Sequence, residues 1–88
     1  MGTINNNYRQ IEIYMYYKDN DKHKIPHIHS YYGDKSAVYD LFGNFIEGDL
    51  DRGGRRLTEE WIKGRETKLQ EMWKSAVKGV PNSIHKID

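Results

Sequence analysis

The stretch Pro26-His27-Ile28-His29-Ser30-Tyr31-Tyr32-Gly33-Asp34-Lys35-Ser36-Ala37-Val38-Tyr39-Asp40 decides the fold. Two strand-like runs flank Gly33-Asp34, and a glycine at the first loop position suits a type II′ turn. A hairpin closed there pairs Tyr32 with Lys35, sets His29 opposite Val38 and sets His27 opposite Asp40. Alternate residues of a strand share a face, so His27 and His29 project together, about 7 Å apart. Further along, Gly43-Asn44 reads as a second hairpin loop between strands over 35–42 and 45–50. That register sets Phe42 opposite Phe45, Asp40 opposite Glu47 and Val38 opposite Asp49. Towards the N-terminus, residues 10–17 alternate well. Ile11, Ile13, Met15 and Tyr17 share one side; Glu12, Tyr14 and Tyr16 share the other. A polar loop over 18–26 joins this strand to the next.

This register divides the sheet into two faces. One carries Ile28, Ser30, Tyr32, Ala37, Tyr39, Leu41, Ile46, Gly48 and Leu50 and suits helix packing. The other carries His27, His29, Tyr31, Ser36, Val38, Asp40, Glu47 and Asp49. The material to cover the first face follows in sequence. From about Leu57 to Lys78, an apolar arc of Leu57, Trp61, Ile62, Leu69, Met72, Trp73, Ala76 and Val77 repeats at helical spacing. Gly64 interrupts it, Arg65 lands inside the arc, and Thr67-Lys68-Leu69-Gln70 matches a capping box. One kinked helix and two short helices both fit. Gly79 and Pro81-Asn82 end the helical part. The expectation is an α+β domain: a four-stranded antiparallel sheet, mostly a meander, with C-terminal helical structure on one face. It comprises a single domain over 1–88, with the sheet at about 10–50, the helical part at about 52–79 and a loose tail at 80–88.

The second face carries the chemistry-bearing residues. An acid directly opposite an acid, Asp40 facing Glu47, is unfavourable unless a cation compensates. Three readings of His27, His29, Asp40 and Glu47 compete. The first is a solvated face on which His27 and Asp40 form a weak surface pair. The second is a first-row divalent metal site built from all four, with His23 in the loop as a further ligand. The third is acid–base catalysis of RNA cleavage by His27 and His29 with Asp40, assisted by cations. Arg52, Arg55 and Arg56, around Gly53-Gly54 before a helix, could supply those cations and hold phosphate, or could form a basic solvated loop. Tyr14, Tyr16 and Tyr31 could stack bases or touch a partner, although tyrosine is also an ordinary strand residue.

Composition bounds the function. The chain has 88 residues and a formal net charge of +1, so its overall field is weak and nucleic-acid binding would need a local patch. It has no cysteine, which excludes disulfides and thiolate metal sites and fits a reducing compartment. Mean hydropathy is low, at −0.95, but seven Tyr, two Trp and two Phe supply core material. A chain this small buries only about 60–65% of its unfolded surface, so a partner or a homodimer would help it. No apolar run is long enough to span a membrane, and the N-terminus lacks a secretory pattern; a cytoplasmic protein is expected.

Taken together, Met15-Tyr16-Tyr17, the Asp-containing loop, Pro26-His27-Ile28-His29, Ala37-Val38-Tyr39-Asp40, Glu47-Gly48-Asp49-Leu50, the arginine-rich segment, Glu60-Trp61 and residues 69–73 resemble a bacterial family, domain of unknown function 4160. The likeness extends over nearly the whole chain. Asp51 stands where the family often has proline, and Gly53-Gly54 where it often has apolar residues, which implies a weaker, more mobile helix start. The resemblance implies a small α+β domain from gene pairs that look like toxin–antitoxin modules, or from mobile elements in which small proteins bind and inhibit defence proteins. The expected function is a small regulatory binding protein of a toxin–antitoxin-like or phage-defence/counter-defence module, contacting a partner protein or RNA. The alternatives are a small ribonuclease-type toxin and a metal-binding domain. No cofactor is required for the leading reading; a divalent metal is an option.

Overall fold

The computed structural model describes residues 2–16 and 25–87. His23 and Tyr17 lie outside the described residues. Five strands, β1 (Thr3–Tyr8), β2 (Ile11–Tyr14), β3 (His27–Tyr32), β4 (Lys35–Asp40) and β5 (Phe45–Gly48), precede two helices, α1 (Arg52–Ile62) and α2 (Glu66–Val77). The strands pair antiparallel in the order β1-β2-β3-β4-β5, a pure meander. The fold is the expected α+β arrangement with one more strand than the sequence reading gives. Among the described residues, no helix is long and apolar enough to cross a membrane.

The extra strand, β1, has a poor strand composition, since three of its positions are asparagine. Asn5 explains how it is held. Its side chain is buried, its Oδ1 accepts from the N–H groups of Asn7 and Tyr8 at 3.1 Å each, and its Nδ2 donates to the Ile87 carbonyl at 2.8 Å. The first two bonds stabilise a bulge between Asn5 and Tyr8. The third bond ties the C-terminal segment to the sheet, together with an Ile87 N–H bond to the Ile4 carbonyl at 2.8 Å. Residues 84–87 are therefore no loose tail, because Ile84 and Ile87 pack on the core. Arg9 and Gln10 close the β1–β2 hairpin with φ of 48° and 75°, a turn normally left to Asn and Gly.

The β3–β4 hairpin has the register read from the sequence, with His27 opposite Asp40, His29 opposite Val38 and Tyr32 opposite Lys35. The β4–β5 connection does not. Ala37 faces Gly48, Val38 faces Glu47 and Tyr39 faces Phe45, with a bulge between the last two pairs. The cause is the Asp40 side chain. Its Oδ1 accepts from the N–H groups of Phe42 and Asn44 at 2.9 Å each, and its Oδ2 accepts from Asn44 Nδ2 at 2.9 Å. These bonds close a four-residue loop over 41–44 in place of a two-residue turn. The Asp40–Glu47 and Val38–Asp49 pairs of the sequence reading do not form.

The core lies between the sheet and the helices. Ile4, Ile11, Ile13, Met15, Ile28, Tyr39 and Leu41 meet Leu50, Trp61, Ile62, Leu69 and Met72. The helix starts at Arg52 because Asp51 caps it, its Oδ1 accepting from Gly54 N–H at 2.9 Å. Gly54 is buried, and a Cβ there would sit 2.7 Å from Leu50 Cγ and 3.2 Å from Tyr32 Cβ. The glycine lets α1 approach the sheet, so the expected mobile start is a packed one. Ser30 Oγ and Thr58 Oγ1, both fully buried, meet at 2.6 Å across that contact.

Gly64, at φ 89°, separates two helices. The Thr67 capping box is not used: α2 begins at Glu66, whose Oε1 accepts from Gly64 N–H at 2.8 Å. Arg65 escapes the apolar arc because it lies in the turn. Its Nη1 donates to the Trp61 carbonyl at 2.6 Å, and its guanidinium lies 5.0 Å from the Trp61 ring.

Candidate binding face

The face of the sheet away from the helices is built in cross-strand rows. Glu12 on β2 faces Tyr31 on β3, which faces Ser36 on β4. Asp49, just past β5, accepts from Ser36 N–H at 3.1 Å. The next row runs Tyr14, His29, Val38, Glu47. The third holds His27 and Asp40.

The rings on this face form a continuous chain. Tyr31 meets Tyr14 edge-on at 5.3 Å, and Tyr14 stacks on Tyr16 at 5.8 Å. Tyr16 meets His29 at 5.0 Å, His29 meets His27 at 5.3 Å, and His27 meets Trp73 of α2 at 5.3 Å. Pair geometries of this kind add to the area the rings bury and fix their orientation. Tyr14, His29 and Tyr31 are half-buried and Tyr16 is exposed, so each of these residues keeps some surface in contact with solvent. Burial, with Tyr31 beside it, pushes the Tyr16 hydroxyl up to about 12. Tyr16 is therefore a neutral hydrogen-bonding group throughout the physiological range.

His27 differs from its neighbours. It is fully buried, and its Nδ1 lies 2.7 Å from the Ile25 carbonyl. A carbonyl only accepts, so Nδ1 carries the proton and donates. The ring anchors the start of β3 between His29 and Trp73, where a substrate hydroxyl has no approach. Asp40 is equally occupied. Burial alone would raise its carboxyl, but hydrogen bonds from Asn44, Phe42 and Gly43 outweigh that effect and hold it below the usual range. Its side chain organises a turn.

The sequence-derived catalytic group of His27, His29 and Asp40 is therefore brought together in space, but only His29 offers an accessible ring. The metal set of His27, His29, Asp40 and Glu47 is not assembled, since Glu47 pairs with Val38. Among the described residues, no group of three or more His, Cys, Asp or Glu side chains could hold a metal. The arginines belong to the opposite side of the sheet. Arg55 lies 4.0 Å from the Phe45 ring, itself packed on Tyr39, and its Nε donates to the Leu50 carbonyl at 2.9 Å. Tyr39 in turn donates to Glu59 on α1 at 3.0 Å. Arg52 and Arg56 are exposed. They line an open depression of about 560 Å³ with Leu50, Arg55 and Glu59. The sheet thus separates the arginines from the histidines. Asp51 also occupies the helix N-terminus where a phosphate would sit.

Sequence reasoning missed an apolar cleft of about 270 Å³ at the Trp73 end of the ring chain. Ile25, Pro26, Leu41, Phe42 and Trp73 line it, with Asp40, Gln70 and Lys74. Phe42 is 64% exposed at its edge. Its only sequence signal was an apolar residue beside a turn glycine.

These features define a small α+β meander protein with an open aromatic sheet face. The chain belongs to the family described as Domain of unknown function (DUF4160), whose model matches residues 11–74. That span covers β2 to the last turns of α2, and leaves β1 and the C-terminal segment that pairs with it outside the match. No curated protein and no solved structure matches the chain.

Proposed function

We propose that this chain is a small regulatory binding protein of a toxin–antitoxin-like or phage-defence/counter-defence module, and that it engages a partner protein through the outer face of its sheet. The observation that carries this reading is the accessible ring chain of Tyr31, Tyr14, Tyr16 and His29, on the side of the sheet that the helices leave uncovered. Rigid aromatics held in fixed register bury much area at low entropic cost, which is how interface anchors work. The apolar cleft beside Phe42 adds to the contact surface. A ribonuclease mechanism draws less support, because His27 is enclosed and the arginines lie across the sheet.

The test is co-expression with the product of the adjacent gene, followed by size-exclusion chromatography. A stable complex is expected, lost in the folded double variant Tyr14→Ser/Tyr31→Ser. Unchanged co-elution of that variant would refute the assignment of the face. RNA cleavage by the purified protein, abolished by His29→Ala, would refute the binding role itself.

A further inference from the structure

Arg52, Arg55 and Arg56 lie on the helix side of the sheet and take no part in the outer face. With Glu59 they occupy positions i, i+3, i+4 and i+7 of α1, so the four form one stripe along the helix. The stripe borders the open depression of about 560 Å³, to which the buried Leu50 adds apolar surface. Three positive charges and one negative charge therefore line it. Among the described residues, no carboxylate lies within ion-pairing distance of any of the three guanidiniums.

Two members of the stripe are fixed before any ligand arrives. Arg55 is half-buried; its guanidinium lies 4.0 Å from the Phe45 ring, and its Nε donates to the Leu50 carbonyl at 2.9 Å. These contacts leave the two Nη groups to donate to a ligand. A planar fork held this way loses little freedom when it pairs with an oxyanion. Glu59 is fixed from the other side, since its Oε2 accepts from the Tyr39 hydroxyl at 3.0 Å and Tyr39 is fully buried. Its Oε1 is left as an acceptor at the end of the stripe.

Three guanidiniums exceed what one carboxylate needs, and they suit a phosphate monoester, which carries about −1.5 to −2 charges at neutral pH. Asp51 caps the first turn, so the phosphate rests on the guanidiniums rather than on backbone N–H groups. Asp51 before Arg52 and Glu59 after Arg56 bracket the stripe. A strand with successive phosphates would therefore meet a carboxylate at either end. The Glu59 acceptor suits a hydroxyl, as a ribose presents. We infer that the depression binds a ribose phosphate, with the phosphate on Arg52, Arg55 and Arg56 and a sugar hydroxyl on Glu59. This site is separate from the partner-binding face, and either can fail without the other.

The experiment titrates the isotope-labelled full chain, in parallel, with ribose 5-phosphate, uridine 5′-monophosphate, inorganic phosphate and a single-stranded oligouridylate. Ribose 5-phosphate is expected to shift the amides of α1 from Arg52 to Glu59 and the Arg55 Nε–H signal, and to bind about tenfold more tightly than inorganic phosphate. Affinity should rise with pH through the second phosphate ionisation, at about 6. Tighter binding of uridine 5′-monophosphate assigns the site to a mononucleotide, and equal or weaker binding assigns it to the free sugar phosphate; both uphold the inference. Arg52→Gln/Arg56→Gln, at exposed positions, is expected to fold as wild type and to bind at least about tenfold more weakly. Glu59→Gln keeps an acceptor for Tyr39 and is expected to narrow the preference for ribose 5-phosphate over inorganic phosphate. No shift along this stripe with any probe makes it a solvated basic surface and overturns the inference. Unchanged binding by the arginine variant, an unchanged preference in Glu59→Gln, or ribose 5-phosphate no tighter than inorganic phosphate does the same. Tighter binding of the oligouridylate than of ribose 5-phosphate overturns it in favour of a nucleic-acid strand.

Discussion

Gly53 and Gly54 are neighbours in the first turn of α1, yet alanine should act on them with opposite sign. At Gly53 a Cβ would meet only Asp51 Oδ1, at 3.5 Å, an ordinary contact. Gly53→Ala therefore gains helix propensity, up to about 0.5–1 kcal/mol. At Gly54 a Cβ would fall 2.7 Å from Leu50 Cγ and 2.8 Å from Leu50 Cδ1, with Tyr32 Cβ at 3.2 Å. Leu50 is 2% exposed, so it has little room to move. Overpacking of this kind costs about 1–3 kcal/mol. Set against the same propensity gain, Gly54→Ala comes out about 0.5–2 kcal/mol destabilising. The two variants should differ by about 2 kcal/mol, or about 8–16 °C in Tm for a domain of this size. Urea unfolding with a common slope is the assay, since a change in midpoint alone isolates stability. If Gly54→Ala stabilised the protein as much as Gly53→Ala, the close approach of α1 to Leu50 would be wrong. The packing that orients the sheet would then need revision.

Three further outcomes follow from the contacts. Asp40→Ala should cost about 1–2 kcal/mol at neutral pH, because the loop over 41–44 loses its acceptor. Asp40 is held below its ordinary pKa in the folded state, so its contribution is present above the unfolded value and lost as pH falls through the folded one. Urea melts at neutral and acid pH should therefore converge for wild type and variant; a constant gap would refute this. Thr58→Val should cost about 1–3 kcal/mol by leaving the Ser30 hydroxyl buried without its partner, while Ser30→Ala/Thr58→Val should cost less than the sum of the single changes in a double-mutant cycle. His27→Ala should lose about 2 kcal/mol or more from burial and the bond to Ile25, whereas His29→Ala should melt near wild type. Equal melting temperatures for the two would contradict the anchoring role of His27.

The sequence by itself determined the β3–β4 hairpin, the two faces of the sheet and the apolar arc of the helices. Each rests on local periodicity, and Gly33-Asp34 admits one register without help from elsewhere. It also placed His27, His29 and Tyr31 on one side of their strand, because alternation leaves no other choice, whereas the pairing of β2 with β3 brought Tyr14 and Tyr16 to that same side. Only the tertiary structure decided the rest. The three asparagines of β1 gain strand structure only once Asn5 can reach Ile87 across the whole length of the chain. The β4–β5 register depends on where the Asp40 carboxylate finds its donors, and that choice separated Asp40 from Glu47. Two histidines with the same spacing and chemistry became a buried anchor and an accessible ring, because Trp73, far along the chain, packs on one of them. Periodicity reports which side of a strand a residue faces. What covers that side is set by elements distant in sequence, and that coverage turned a candidate catalytic pair into one half-buried contact and one structural residue.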